Sequence, residues 1–208
     1  MNGETRPKVR LRGRDITMHY GFRAILRGIS LEVREGTPLS VTGPNGSGKS
    51  TLVKVLAGVL TPTGGSVDLT VGETLVSADE RAHRVGLVTP DLALYPQLSA
   101  RETLDFLARV RGLTPEADVL STLARVGLGD RADDYVSTFS TGMRQRLRIA
   151  TALLHDPPVL LLDEPGATLD ASGRDLVASL VREPSRAVVL ATNDPEEAAL
   201  CADQISVV

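Results

Sequence analysis

The sequence is short of cysteine and of aromatic residues, and both shortages limit what the protein can be. Of its 208 residues, one is cysteine, none is tryptophan and 3% are aromatic. The single cysteine, Cys201, excludes an internal disulfide and a cysteine-rich metal site, and we expect it to be a small buried apolar residue. A core without aromatic bulk must be built from Leu, Val, Ile and Ala.

Long apolar runs and a strong excess of charge are also missing. No stretch approaches the ~20 apolar residues needed to cross a bilayer. Met1 to Arg12 is polar and basic, without the apolar core of a secretion signal. The net charge of −3 disfavours broad electrostatic attraction to nucleic acid, so no nucleic-acid partner is expected. With 42% hydrophobic and 24% charged residues, the composition is typical of one soluble domain in a reducing cytoplasm.

The most informative stretch is glycine-rich and matches the pattern G-x-x-x-x-G-K-[ST]: Gly43, Pro44, Asn45, Gly46, Ser47, Gly48, Lys49, Ser50 and Thr51. It lies between a short apolar strand at 38–42 and a helical run at 52–57 that closes at Gly58. Glycines let the backbone wrap around a polyphosphate and direct N–H groups at it, and the helix N-terminus adds positive charge. The motif predicts that Lys49 reaches the β- and γ-phosphates and that the Ser50 hydroxyl ligates Mg²⁺.

A second signal is a pair of carboxylates at the end of the continuous apolar strand 159–163. A carboxylate in that place is costly unless it meets a cation, so Asp163 is predicted to hold Mg²⁺ directly or through water. Glu164, one residue further on, is the predicted general base for the water that attacks the γ-phosphate.

The order of elements predicts an α/β protein. Alternation predicts strands at 9–18, 29–34 and 66–76, with a turn at 20–23, and short apolar runs predict strands at 85–88, 159–163 and 187–192. Helices are predicted after the capping box of Ser99 and Glu102, after Thr114-Pro115-Glu116, and at 141–155 and 172–182. Strands that alternate with helices indicate a mainly parallel sheet, and the purely helical stretch near 99–138 indicates an inserted subdomain.

A third motif, Phe139-Ser140-Thr141-Gly142-Met143, comes about twenty residues before Asp163. In isolation it is typical of an ordinary helix cap. Together, in this order and spacing, the three motifs resemble the ATP-binding cassette (ABC) ATPases, and the resemblance covers essentially the whole chain. It implies one domain over 1–208: a P-loop NTPase core, an N-terminal antiparallel β-subdomain and a helical subdomain inserted at about 89–140.

The resemblance also implies how the site is completed. ATP would be sandwiched between two cassettes, so that the P-loop of one chain faces Ser140 and Gly142 of the other. Tyr20 matches the aromatic residue that stacks on adenine in this family, although a tyrosine in a surface turn is the alternative. Asp170 matches the loop that crosses between subunits.

Two positions depart from the family pattern. Pro90 stands where the family has the glutamine of its Q-loop, and Asn193 stands where it usually has a histidine that contacts the γ-phosphate. Proline has neither a side-chain amide nor an N–H, whereas Asn193 can still donate a hydrogen bond to phosphate. We therefore expect a catalytic set of Lys49, Glu164 and Asn193, and either a slow ATPase or a pair in which another cassette supplies the competent site.

Stand-alone cassettes of this kind are ATPase subunits that drive a separate transmembrane permease. The resemblance thus implies a homo- or heterodimer on the cytoplasmic face of the membrane, using ATP and Mg²⁺. The run 94–98 fits a permease contact, with a plain loop as the alternative. Arg144-Gln145-Arg146-Leu147 and the compact length look like exporter-type cassettes. Two other functions stay open: a hydrolysis-impaired regulatory subunit, and a soluble ABC ATPase without a permease.

Overall fold

The structure is a computed structural model that describes residues 7–113 and 118–208, so the predicted helix cap at 114–116 lies outside the described residues. The strands are β1 Val9–Tyr20, β2 Arg23–Arg34, β3 Leu39–Thr42, β4 Gly64–Val71, β5 Thr74–Val76, β6 Val85–Val88, β7 Val159–Asp163, β8 Ala187–Ala191 and β9 Asp203–Ser206. The helices are α1 Lys49–Ala57, α2 Ala78–Arg84, α3 Ala100–Val110, α4 Val119–Arg125, α5 Thr141–Leu153, α6 Ala171–Val181 and α7 Pro195–Ala198.

The first half of the chain builds an antiparallel sheet of order β2-β1-β4-β5. Strands β1 and β2 form a long hairpin in which Tyr20 pairs with Arg23 across the turn. The turn is tight because Gly21 adopts a positive φ of 59°. Two predictions were wrong here. The second strand begins at Arg23 rather than at residue 29, and the stretch 66–76 is two strands, because Gly72 turns the chain with φ 64°.

The second sheet is parallel, in the order β6-β7-β8-β3-β9, which confirms the α/β prediction. The position of strand β7 explains why residues 159–163 form an unbroken apolar run. Val159 and Leu161 belong to the core beneath the antiparallel sheet, and Leu160 and Leu162 belong to the core that the helices cover. Successive side chains of a strand point to opposite faces, so both faces of this sheet are buried.

The predicted helical region contains α3, α4 and two 3₁₀ turns, Gly129–Arg131 and Val136–Thr138. Helix α3 begins at the predicted capping box: the Glu102 amide donates to the Ser99 hydroxyl at 3.1 Å and the Ser99 amide donates to the Glu102 carboxylate at 2.7 Å. The side chains of this region share one core with α5, α6 and the parallel sheet. Subdomain boundaries at about 89–140 stay a prediction.

Helix α5 ends at Leu153, two residues before the predicted end at His155, and α6 runs from Ala171 to Val181, one residue earlier at each end than predicted. Nowhere in residues 7–113 and 118–208 does a helix have the length and apolar character that a bilayer crossing requires.

The parallel sheet places the predicted site. Strand β8 pairs with β7 on one side and with β3 on the other. Because parallel strands present their carboxyl ends at one edge, the loops that follow these three strands meet there. Those loops carry the glycine-rich motif, Glu164 and Asn193.

Candidate active site

The glycine-rich loop leaves β3 and enters α1 through residues that need glycine. Gly43 and Gly48 have φ of 147° and 108°. A Cβ on Gly43 would lie 2.2 Å from the carbonyl oxygen of Val207, and one on Gly48 would lie 2.9 Å from the Ile25 side chain. The backbone therefore takes a path that a larger residue would block. The loop ends at Lys49, the first residue of α1. The N–H groups of the first turn of that helix have no partner within the helix and can bind an anion.

Lys49 connects the loops that the sheet brings together. The residue is only 6% exposed. Its ammonium donates to the carbonyl of Gly43 at 2.8 Å and to the side-chain oxygen of Asn193 at 2.7 Å, and it lies 3.8 Å from a Glu164 carboxylate oxygen. The three predicted catalytic residues, Lys49, Glu164 and Asn193, are thus in one place.

Asp163 is a buried carboxylate without a compensating partner. It is 1% exposed, and neither of its oxygens has a hydrogen bond of normal geometry among the described residues. Burial raises the pKa of Asp163, the nearby Ser50 hydroxyl opposes that rise, and the charge of Glu164 adds to it. A group in this state is stabilised by a cation, so the predicted Mg²⁺ pair of Asp163 and Ser50 fits its surroundings.

The described residues hold no group of three or more His, Cys, Asp or Glu side chains suited to a metal ion. A hydroxyl and one carboxylate fit Mg²⁺ all the same, because that ion keeps several waters and binds phosphate oxygens alongside one or two carboxylates.

Glu164 is held in an unusual backbone conformation. It has φ 47°, which is uncommon for a residue with a side chain. Its amide donates to the carbonyl of Ala191 at the end of β8, at 2.8 Å. Glu164 lines a cleft of about 340 Å³ together with Lys49 and Ser50, and Arg23 and Ile25 of β2 form its other wall.

Asn193 occupies the place that the family pattern gives to histidine, and it contacts two parts of the P-loop. Besides accepting from Lys49, its amide group donates to the side chain of Asn45. The residue before it, Thr192, donates its hydroxyl to the buried carboxylate of Glu197 at 2.6 Å. Glu197 was not predicted. Nothing in the sequence distinguishes it from its exposed neighbour Glu196.

Tyr20 lies at the end of β1 and is 51% exposed. Its cross-strand partner Arg23 lines the cleft, and Tyr20 itself is outside the cleft lining. The hairpin that carries it therefore borders the site, and its role as the adenine platform stays a prediction. Phe22, at the tip of the same hairpin, is fully exposed and was not singled out from the sequence.

Ser140 and Gly142 lie apart from the cleft, whose lining in the described chain includes neither. Ser140 caps α5 by accepting from the Met143 amide at 3.2 Å. A Cβ on Gly142 would lie 3.2 Å from the carbonyl oxygen of Thr168. The turn formed by Ser140, Thr141 and Gly142 therefore packs against the loop that leads to Asp170.

Asp170 is tied to the same helix. Its carboxylate accepts from Arg146 of α5 at 2.7 Å and from the Gly173 amide at 2.9 Å. These contacts, the Gly173 amide first, lower the pKa of Asp170. Ser140, Gly142 and Asp170 thus form a second cluster, here called the signature cluster, separate from Lys49 in the same chain.

The segment around Pro90 offers a charge where the family has an amide. Pro90 is exposed, and the next residue, Asp91, pairs with Lys54 of α1 at 2.6 Å. That pairing lowers the pKa of Asp91. Lys54 lies one helical turn after Ser50 and also opposes the rise in the pKa of Asp163. Asp91 therefore links the start of the helical region to α1.

A parallel sheet whose glycine loop leads into a helix, with a buried lysine and an unpaired strand-end carboxylate, defines a P-loop nucleotide-binding domain. The profile of the ABC transporter family matches residues 26–167. The chain belongs to that family, as its ATP-binding domain.

Two relatives illustrate the relationship. The chain is 32% identical over 206 residues to the linearmycin resistance ATP-binding protein LnrL of Bacillus subtilis (strain 168), covering 95% of this chain and 66% of that protein. It is 39% identical over 201 residues to the aliphatic sulfonates import ATP-binding protein SsuB 2 of Xanthomonas axonopodis pv. citri (strain 306), covering 95% and 67%. The chain thus spans about two thirds of the length of these relatives.

The fold also matches a solved cassette. The ATP-binding cassette MJ0796, a dimer in a post-hydrolysis state bound to ADP and Pi, superposes with a TM-score of 0.81 at 27% identity, covering 95% of this chain and 94% of that one. This likeness confirms the predicted P-loop fold.

Proposed function

We propose that this chain binds MgATP in the cleft at Lys49 and hydrolyses it. The observation that carries the proposal is the convergence on Lys49: the P-loop carbonyl of Gly43, the amide of Asn193 and the carboxylate of Glu164 all lie around one buried ammonium. A polyphosphate placed on the loop would take over the Lys49 contacts and meet the N-terminus of α1.

Each residue then has a role that its surroundings support. Lys49 and the amides of 46–51 hold the β- and γ-phosphates. Asp163 and Ser50 would hold Mg²⁺, which, when bound, neutralises charge on the phosphate oxygens. Glu164, beside the cleft, accepts a proton from the attacking water. Asn193 donates to the γ-phosphate from its amide nitrogen once the phosphate competes with Asn45 for that donor.

The signature cluster is proposed to act on the ATP of a second cassette. Within one chain Ser140 and Gly142 lie outside the cleft lining, so a contact from them to phosphate needs another subunit. The dimeric cassette MJ0796 supports this arrangement. Whether the second subunit is a copy of this chain or a related one stays open, and Tyr20 is the proposed adenine platform.

We further propose that the chain drives a separate membrane permease from the cytoplasmic face. A groove of about 250 Å³ between α1, β6 and α3 is lined mainly by apolar residues, among them Val59, Leu87, Leu92 and Leu107. Next to it Tyr95 contacts Phe106 edge-on, with ring centroids 6.1 Å apart, and both rings are about half exposed. An apolar surface of this kind fits a helical segment of a partner.

Export is the direction we propose, because Arg144–Leu147 resembles exporter-type cassettes. The relatives' names include both a resistance protein and an import protein, and so they support neither direction over the other.

Two measurements test this function. Purified chain, alone and with co-purified membrane protein, should release phosphate from MgATP slowly, at about 1 s⁻¹, the lower end of the usual enzyme range. A tagged chain drawn from native membranes in mild detergent should bring down a polytopic membrane protein in stoichiometric amount. Recovery with ribosomes or DNA, or without any partner, would contradict the transporter role.

A hydrolysis-impaired regulatory subunit is the second candidate, and Asn193 is the observation that favours it. Its amide lies where the family has an imidazole, and an amide neither carries charge nor shuttles a proton. MgATP binding with no phosphate release in either preparation would establish this function and exclude the first.

A further inference from the structure

Glu197 is a buried glutamate beside the active site to which neither the motifs nor the proposed function gives a role. It lies on the short helix α7 and is 7% exposed. Its carboxylate accepts the Thr192 hydroxyl at 2.6 Å, and that hydroxyl in turn accepts from the Asp194 amide at 3.0 Å. Glu197 therefore fixes the residues on both sides of Asn193.

The other carboxylate oxygen of Glu197 packs against the loop after Glu164. A Cβ on Gly166 would lie 1.9 Å from this oxygen, so only glycine permits the approach. The backbone of Gly166 therefore lies directly against this carboxylate, and its amide opposes the rise in the pKa of Glu197. Gly166 is two residues after Glu164 and four before Asp170. One buried carboxylate thus holds two loops that bear on the γ-phosphate.

Burying the charge of the Glu197 carboxylate costs free energy, which argues that its contacts are not incidental. Burial raises the pKa of Glu197, and Asp194 and Glu164 add to that rise, while the hydrogen bond from Thr192 and, to a smaller extent, the Gly166 amide oppose it. A glutamate retained under such conditions is stabilised mainly by the Thr192 hydroxyl that it accepts. Removing it would free both loops without touching the P-loop.

We propose that Glu197 is a positioning residue for hydrolysis: by accepting the Thr192 hydroxyl with one carboxylate oxygen and packing the other against Gly166, it sets Asn193 and Glu164 at a fixed separation across the γ-phosphate. The proposal rests on the proposed ATPase function. It concerns the hydrolytic step alone, since nucleotide binding depends on Lys49 and the loop. A shift of about 1 Å in a reacting group costs on the order of 10²-fold in rate.

The test compares Glu197→Gln with Glu196→Gln. The two positions are adjacent on α7, and Glu196 faces solvent, so the second variant controls for lost charge. A glutamine at 197 has one oxygen and one NH₂ group, so either Thr192 loses its acceptor or the NH₂ group replaces the oxygen that packs against Gly166. We expect Glu197→Gln to lower kcat about 10- to 100-fold, with the MgATP Kd and the unfolding midpoint close to those of Glu196→Gln.

A second variant tests the same contact by changing Thr192. Thr192→Val removes the donated hydroxyl and keeps the shape of the side chain. The double variant Thr192→Val/Glu197→Gln should be about as slow as either single variant, because the contact from Thr192 through Glu197 to Gly166 is broken in all three. Additive losses of rate would overturn the proposal. So would a kcat of Glu197→Gln equal to that of Glu196→Gln, or a loss of rate that a matching loss of MgATP binding or stability accounts for.

The same measurements distinguish the positioning role of Glu197 from the proposed ATPase function. Hydrolysis by the wild type and by Glu196→Gln, with no deficit in Glu197→Gln, refutes the positioning role alone. No hydrolysis by the wild type, with or without its membrane partner, refutes the proposed ATPase function and the positioning role with it.

Discussion

Glu164, the proposed general base, has an unfavourable backbone conformation. A non-glycine residue at φ 47° costs about 1–3 kcal/mol, and the hydrogen bond that the Glu164 N–H donates to the carbonyl of Ala191 holds it there. Because glutamine has the same shape, Glu164→Gln should keep this geometry and lose only the base. We expect MgATP affinity within about threefold of wild type and turnover reduced by at least about 10²-fold, measured by equilibrium binding and phosphate release. Unchanged turnover would remove Glu164 from the role.

His155 makes stability depend on pH. Burial, and then the charge of Arg111, lower its pKa from 6.5 to about 4. The unfolded chain therefore binds a proton that the folded chain does not, and stability is lost as pH falls from 6.5 towards 4. Between pH 7 and pH 5 the folded state should lose about 2 kcal/mol through this group.

Chemical denaturation at the two pH values checks this expectation. His155→Gln should reduce the difference in unfolding free energy between pH 7 and pH 5 by that amount, and His83→Gln, at an exposed histidine, should leave it as in wild type. Equal pH dependence in both variants would contradict it.

At the scale of elements, the entry into α1 depends on glycine for two separable reasons. Gly48 combines a φ of 108° with a Cβ position 2.9 Å from Ile25, whereas Gly46 has φ 79° and open space around it. Alanine at 46 should therefore introduce backbone strain alone, of about 1–2 kcal/mol. Alanine at 48 should add a steric cost of about 1–3 kcal/mol.

The unfolding free energies of Gly48→Ala and Gly46→Ala separate the steric cost from the backbone strain. Gly48→Ala should lose clearly more unfolding free energy than Gly46→Ala. Equal losses would mean that β2 yields to the added methyl group.

The elements also show what the sequence could and could not predict. β7 and β8 were predictable because burial on both faces demands an unbroken apolar run. β9 is mostly polar, and α2 and α7 span seven and four residues, so local patterns were too weak to predict them.

The residues of the site also divide into those that the sequence predicts and those that it does not. Lys49, Ser50, Asp163 and Glu164 follow from motifs that are local in the chain. The pairs Lys54–Asp91 and Thr192–Glu197 do not. Aspartate, glutamate and lysine are mostly exposed, so nothing local indicates that Glu197 is buried or that Asp91, which stays exposed, pairs with Lys54 of α1; both contacts depend on how distant segments pack together.

At the scale of the whole molecule, the cleft at Lys49 and the signature cluster are two separate surfaces of one chain. The account predicts that each completes the other in a dimer closed on MgATP. Sedimentation of Glu164→Gln, which should trap bound ATP, is expected to show a dimer with MgATP and a monomer without it. If the second subunit is a related cassette, the same shift should appear only after that chain is added; no shift in either case would contradict the sandwich.

All of these roles depend on one claim: the cleft at Lys49 is where MgATP binds. The most direct test is calorimetric titration of MgATP into the wild type, Lys49→Ala and Lys8→Ala, the last removing an exposed lysine away from the cleft. The account predicts one site per chain in the wild type and in Lys8→Ala, and affinity at least about 10²-fold weaker in Lys49→Ala, a loss of about 2.7 kcal/mol. Binding that is absent from the wild type, or equal in all three proteins, would contradict it.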